Sequence, residues 1–213
     1  MKVKCFTFNP FQENTYILHD NTNECVIIDP GCSNVNEQIE LINFIKSNAL
    51  TPVKLINTHA HIDHIFGNKF ISRLFKIDLY LHKLELELLK EAENIAKSYG
   101  IENFESSPLP KYFMNEGDII SFGNTSLEVL FAPGHSPGHI CLYNKKNNIL
   151  IAGDVIFRLS IGRTDLPGGN YDTLISSIKN KLYNLPANTE IFCGHGPTTN
   201  INFEKLNNPF LKD

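Results

Sequence analysis

The segment Thr58-His59-Ala60-His61-Ile62-Asp63-His64 carries three histidines and one aspartate within six consecutive positions, directly after an apolar run. Imidazole is the commonest metal-ligating side chain, and a carboxylate suits zinc, iron or manganese. In an extended loop His59 and His61 project to one side, because side-chain direction alternates along an extended chain. Asp63 and His64 can then turn towards a neighbouring point. A core without a metal has no use for four such groups, since each buried polar group must find a partner.

Three further segments supply matching donors. His135 lies in the turn Ala132-Pro133-Gly134-His135-Ser136-Pro137-Gly138, just beyond the apolar run Leu127 to Phe131. Asp154 follows Ile149-Leu150-Ile151-Ala152-Gly153, and His195 follows Ile191-Phe192-Cys193-Gly194. Each time a glycine sits between the apolar run and the polar residue, as suits a sheet edge that presents a ligand. The donors divide into His59, His61 and His135 for one ion and Asp63, His64 and His195 for a second, with Asp154 left to bridge. Such a set is larger than a single tetrahedral zinc could use. His19, His82 and His139 read as structural, with His139 the one placed to orient a ligand.

The elements that must position these donors are legible from periodicity. Val3 to Phe8, Thr15 to His19, Cys25 to Ile28 and Val53 to Asn57 read as strands separated by turn chemistry at Asn9-Pro10 and Asp20-Asn21-Thr22-Asn23. Val35, Ile39, Ile42 and Ile45 recur at helical spacing, predicting an amphipathic helix from about Asn34 to Ser47. Phe66 to Phe75 reads as helix and Leu79 to Leu81 as strand. Glu85 to Tyr99 reads as a helix with the stripe Leu88, Leu89, Ala92, Ile95, Ala96 and Tyr99. After the loop Glu105 to Pro110, the runs Ile119 to Phe122, Leu127 to Phe131, His139 to Tyr143 and Ile149 to Ala152 read as strands. Tyr171 to Leu182 is a helix and Glu190 to Cys193 a last strand. Two strand-rich halves with helices, and no low-complexity linker between them, fit one α/β domain over 1–213, a four-layer α/β/β/α sandwich.

Bulk properties narrow the function classes. The net charge is -4, from 19 basic and 23 acidic residues spread along 213 positions. That leaves no electrostatic footprint for nucleic acid or an anionic membrane. The expected partner is a small molecule. The five cysteines are widely spaced without a C-x-x-C pair, which argues for buried thiols rather than disulfides or a zinc knuckle. No apolar run is long enough to span a bilayer, and Met1-Lys2-Val3-Lys4 runs into a strand pattern rather than a signal-peptide core, so the expected location is cytoplasmic.

The H-x-H-x-D-H pattern of His59, His61, Asp63 and His64, followed by spaced His135, Asp154 and His195, resembles the metallo-β-lactamase superfamily. Within it, Asn9 to Tyr16, Ile28-Asp29-Pro30-Gly31 and Gly162 to Gly169 resemble the glyoxalase II (hydroxyacylglutathione hydrolase) group. The likeness is to its short bacterial members, which lack a C-terminal helical domain. The resemblance implies the four-layer fold and two divalent ions, zinc first, with iron or manganese as alternatives. It also implies hydrolysis of an S-2-hydroxyacylglutathione thioester. In that group a Lys-x-Tyr segment and a Tyr two residues beyond the last ligand histidine contact glutathione. Arg163, Asp165 and Pro197 stand at those positions here, and Arg163 is the candidate for a substrate carboxylate.

The mechanism that follows is attack on the thioester carbonyl by a metal-activated hydroxide, with Asp154 orienting it and Asp63 as ligand and catalytic carboxylate. Rival readings on the same fold are a persulfide dioxygenase with one iron on His59, His135 and Asp154, and a lactone hydrolase. A nuclease would be expected to add basic arms, and a purely structural zinc needs only four closed ligands.

Overall fold

Parallel strand pairs need a crossover of a dozen or more residues, antiparallel pairs only a turn, and the chain uses both. The structure, a computed structural model, describes residues 1–212. It contains two six-stranded sheets and a small two-stranded one, and it divides into two compact units.

The first unit comprises residues 1–114 and 121–125. Its sheet is built from β1 (Lys2–Phe8), β2 (Glu13–His19), β3 (Glu24–Ile28), β4 (Thr51–Ile56), β5 (Leu79–Leu81) and β6 (Tyr112–Phe113), in that spatial order. β1, β2 and β3 are antiparallel, joined by short turns; β3, β4, β5 and β6 run parallel. The crossovers between the parallel strands carry α1 (Val35–Ser47), then α2 (Ile62–Ile65) and α3 (Asn68–Phe75), then α4 (Leu86–Ser98). The core of this unit includes Ile17, Ile27, Leu55, Leu79 and Leu81 from the strands and Leu41, Ile45, Ile65, Ile71, Leu89 and Ala92 from the helices.

The second unit comprises residues 115–120 and 126–213, of which those to 212 are described. The second sheet contains β7 (Ile119–Phe122), β8 (Thr125–Phe131), β9 (Ile140–Asn144), β10 (Ile149–Gly153), β13 (Glu190–Cys193) and β14 (Thr199–Asn200). Their spatial order is β14-β13-β10-β9-β8-β7. β11 (Ile156–Phe157) and β12 (Ser160–Ile161) form the separate hairpin. β10 and β13 are parallel, and the crossover between them carries α5 (Tyr171–Asn180). The chain closes with α6 (Ile201–Asn207), capped by the Asn200 side chain. Leu150, Ala152, Leu174, Ile178, Ile191 and Cys193 form the core of this unit.

The major strands and helices lie within one to three residues of the sequence expectation, with several differences. α1 does turn Ile45 inward, but Val35 and Ile39 face solvent, 66% and 48% exposed, while Leu41 is buried. Two apolar stripes run along this helix, and the one with Leu41, Phe44 and Ile45 packs on the sheet. Tyr99, placed on the α4 stripe, is 52% exposed at the helix C-cap. β6, β11, β12, β14 and α6 had no sequence expectation; the strands among them are two residues long, below any readable period. Among the described residues the five cysteines form no disulfide, and four of them are buried. Among the described residues no helix is long and apolar enough to cross a membrane.

Candidate metal centre

In the first unit β4 delivers the chain into Asn57, Thr58 and His59, all fully buried. His61 then serves as the N-cap of α2, whose single turn carries Asp63 and His64. The extended-loop expectation therefore holds only as far as His61. The helical turn brings the rings together: His59 lies 4.7 Å from His61 and 4.2 Å from His64 between centroids. Asp63 Oδ2 lies 3.6 Å from His64 Nε2.

A carboxylate that the sequence analysis had not placed at the site holds this cluster. Asp29 sits just beyond β3 in left-handed backbone, φ 48°. Its Oδ1 accepts from the Thr58 backbone N–H at 2.7 Å, and its Oδ2 accepts from Thr58 Oγ1 at 2.6 Å and from His64 Nδ1 at 3.1 Å. Because the Thr58 hydroxyl proton goes to Asp29, its oxygen at 3.0 Å from His59 Nδ1 must accept. Both rings are thereby fixed with the proton on Nδ1 and the lone pair on Nε2, the tautomer that ligates a metal. Asp29, His59 and His64 also offer donor atoms within 4.8 Å of one another. The Asp29 oxygens are committed to Thr58 and His64, which makes Asp29 an orienting group. An aspartate closing an apolar strand before Pro30-Gly31 was the sequence signal for it.

Glu13 lies beside this group, fully buried, with Oε1 3.8 Å from His64 Nδ1 and Oε2 accepting from Thr15 Oγ1 at 2.9 Å. Burial pushes its carboxyl well above the usual range, opposed by His64. Its Oε1 has no hydrogen-bond partner. Among the described residues neither Glu13 nor Asp29 forms an ion pair with a lysine or arginine; both face His64, and they hydrogen-bond Thr15 and Thr58. Buried carboxylates without a basic partner fit a site whose positive charge comes from a bound cation.

In the second unit the donors stand at three strand ends. Beyond β8, Gly134 adopts φ 130°, and a Cβ there would lie 2.3 Å from the Leu174 backbone, so only glycine admits the turn into His135. β10 ends in Gly153 and Asp154, β13 in Cys193, Gly194 and His195; these neighbours run parallel, so Asp154 and His195 emerge at the same sheet edge. Asp154 Oδ2 lies 3.5 Å from His135 Nε2 and 3.5 Å from His195 Nε2, between the two imidazoles. His135 Nδ1 donates to the Arg163 main-chain oxygen at 2.7 Å, which again leaves the lone pair on Nε2. His139, fully buried, accepts the Asp154 backbone N–H at Nε2, 3.0 Å away, and so fixes the main chain that carries that carboxylate.

Arg163, the candidate for a substrate carboxylate, forms a bidentate pair with Asp165 at 2.7 and 2.8 Å, with both side chains mostly exposed. That exposed Arg163 guanidinium holds the Asp165 carboxyl down, at a pKa of about 2. His82 caps the turn before α4, and His19 packs against Phe44.

Comparison with known proteins adds the family. The model of the metallo-beta-lactamase superfamily matches residues 8–195, a continuous span from β1 to His195. A relative from Bacillus subtilis, named probable metallo-hydrolase YqgX, is 40% identical across 99% of this chain and 98% of its own. Hydroxyacylglutathione hydrolase GloC of Haemophilus influenzae is 34% identical across 99% and 98%. Among solved structures, the BLEG-1 B3 metallo-beta-lactamase superposes with a TM-score of 0.92 at 36% identity, covering all of both chains. TTHA1623, solved in a di-iron-bound form, gives 0.87 at 36% identity, covering 98% of this chain and all of that one.

Proposed function

This chain belongs to the metallo-β-lactamase superfamily and has its fold, and on that footing we propose that it is a two-metal hydrolase acting on a thioester such as an S-2-hydroxyacylglutathione. The observation that carries the reading is the tautomer pattern. His59, His64 and His135 each commit Nδ1 to a protein oxygen and so hold the Nε2 lone pair for a cation.

In this proposal His59, His61 and His135 would hold one ion and Asp63, His64 and His195 the other, with Asp154 as a further carboxylate donor. Bound there, the ions would lower the pKa of a water from about 15.7 to roughly 7 and polarise an acyl oxygen. Water adds to the thioester carbonyl carbon, and the C–S bond breaks to release a carboxylic acid and a thiol. Asp154, held between two imidazoles and with its backbone N–H on His139, would orient the attacking water, and Asp63 would be a ligand of the second ion. Zinc and iron both accept this donor set, and the di-iron form of TTHA1623 keeps iron in view. The glutathione part of the reading rests on the likeness to GloC. Asp165 and Pro197 stand where the glyoxalase II tyrosines would be.

A second reading, hydrolysis of a cyclic amide or ester, is favoured by the full-length likeness to a B3 metallo-beta-lactamase. The test is metal content of the purified protein, alongside turnover of an acyl-glutathione thioester, a β-lactam, a lactone and glutathione persulfide. Two ions with thiol release from the thioester are expected. One iron with oxygen consumption on the persulfide would overturn the proposal in favour of a dioxygenase.

A further inference from the structure

At the turn leading into α4 the usual burial order is reversed. Leu84 is 54% exposed, while the adjacent Glu85 is fully buried. Burying a carboxylate costs far more than burying a leucine, and departures of this kind concentrate where function needs them. The turn is fixed locally: the Leu84 N–H donates to His82 Nδ1 at 3.3 Å and the Glu85 N–H to the His82 carbonyl at 3.0 Å. Glu85 is thus aimed inward by the backbone and is not a surface side chain that has folded down. Its Oε2 accepts the backbone N–H of Ala60 at 2.8 Å, also in the interior. Ala60 is the residue between His59 and His61.

We propose that Glu85 is a positioning residue for the metal-binding pair His59 and His61. The inference rests on the proposed metal centre. The Ala60 N–H belongs to the His59–Ala60 peptide, so holding it fixes the plane through which the chain leaves His59 on its way to His61. A hydrogen bond from that N–H to the Glu85 carboxyl therefore anchors the main chain between the two imidazoles and constrains how His59 and His61 are presented. Thr58 and Asp29 set the tautomer of His59; Glu85 sets the backbone beneath it. The groups reach the same segment from elements far apart in sequence, which is why no motif carries Glu85.

The test compares Glu85→Gln, Glu85→Asp and Glu85→Leu in the full chain. Zinc affinity is read by chelator competition, stoichiometry by native mass spectrometry, and thermal stability on the metal-stripped proteins. Glu85→Gln keeps an acceptor at the same reach, and its zinc affinity is expected within about threefold of the parent. Glu85→Leu and Glu85→Asp lose the acceptor or withdraw it, and affinity at one of the two sites should fall about 10–100-fold. Metal-stripped stability of Glu85→Leu should fall, because the buried Ala60 N–H loses its acceptor, so its affinity is read only if it folds. Glu85→Asp keeps the carboxyl group, so it decides the matter if Glu85→Leu does not fold. Parent-like affinity in Glu85→Asp, or in a folded Glu85→Leu, would overturn the inference while leaving the metal centre standing. A parent protein that binds no zinc or iron would sink both.

Discussion

His64 Nδ1 and Asp29 Oδ2 meet at 3.1 Å in the interior, and the same oxygen takes the Thr58 hydroxyl proton. One carboxylate therefore dictates the tautomer of His64 directly and of His59 through Thr58. Asp29→Asn keeps the shape but turns an acceptor into a donor at one of these contacts. Metal affinity is expected to fall about 10–100-fold, with loss of at least one ion from the purified protein. Full occupancy by elemental analysis would show that Asp29 does not orient the ligands.

The main-chain approach at Gly162 sets a second condition. A Cβ on Gly162 would lie 1.9 Å from the Asp154 carbonyl oxygen and 3.0 Å from His135 Nδ1. The Asp154 atom is backbone, so it cannot rotate away. Gly162→Ala should push the Asp154 strand end and the Arg163 segment apart, with a cost of about 1–3 kcal/mol from overpacking. Turnover should fall more steeply than stability. Parent-like activity in the folded variant would argue against a fixed His135–Asp154 geometry.

Arg163 and Asp165 form an exposed pair that a substrate carboxylate would have to displace. Solvent screens an exposed pair of this kind, so displacement is cheap. Asp165→Asn should lower KM for an acyl-glutathione, which carries carboxylates, by a few-fold and leave a neutral thioester unchanged. Arg163→Ala should raise KM for the charged substrate only, because the His135 contact uses the main-chain oxygen of Arg163. Equal effects on charged and neutral thioesters would remove Arg163 from substrate recognition.

What the sequence disclosed and what it hid divide along physical lines. Strands and helices of four or more residues, α2 and α6 excepted, announced themselves through period, and the donors announced themselves because imidazoles cannot be buried in numbers without a purpose. Asp29 and Glu85 stayed hidden because a lone carboxylate looks like surface until its hydrogen-bond partners are known. Glu85 in particular sits beside an exposed leucine, against the expected pattern. α6 was missed although Asn200 caps it, because its buried positions include a glutamate, Glu204, as well as Ile201. The face of α1 was misread because a helix with two apolar stripes is oriented by what packs best, which only the sheet beneath it decides.

Asp20 provides the acid-sensitive point away from the donors. Burial alone would raise its carboxyl, but Thr22, Thr125 and Asn124 hydrogen-bond it and bring the pKa down from 3.8 to about 2. Oδ1 accepts from Thr22 N and Oγ1 at 2.9 and 2.6 Å; Oδ2 accepts from Asn124 N and Thr125 Oγ1 at 2.7 and 2.9 Å. The folded pKa lies below the unfolded value of about 3.9, so the contribution is complete above roughly pH 4 and lost as pH falls towards 2. With solvent screening it amounts to about 1 kcal/mol, or roughly 2–4 °C in Tm for a chain of this size. Asp20→Asn should therefore melt lower than the parent at pH 7, and the gap should close between pH 4 and pH 2. A gap that stays constant across that range would mean the ionised carboxylate is not what holds this turn.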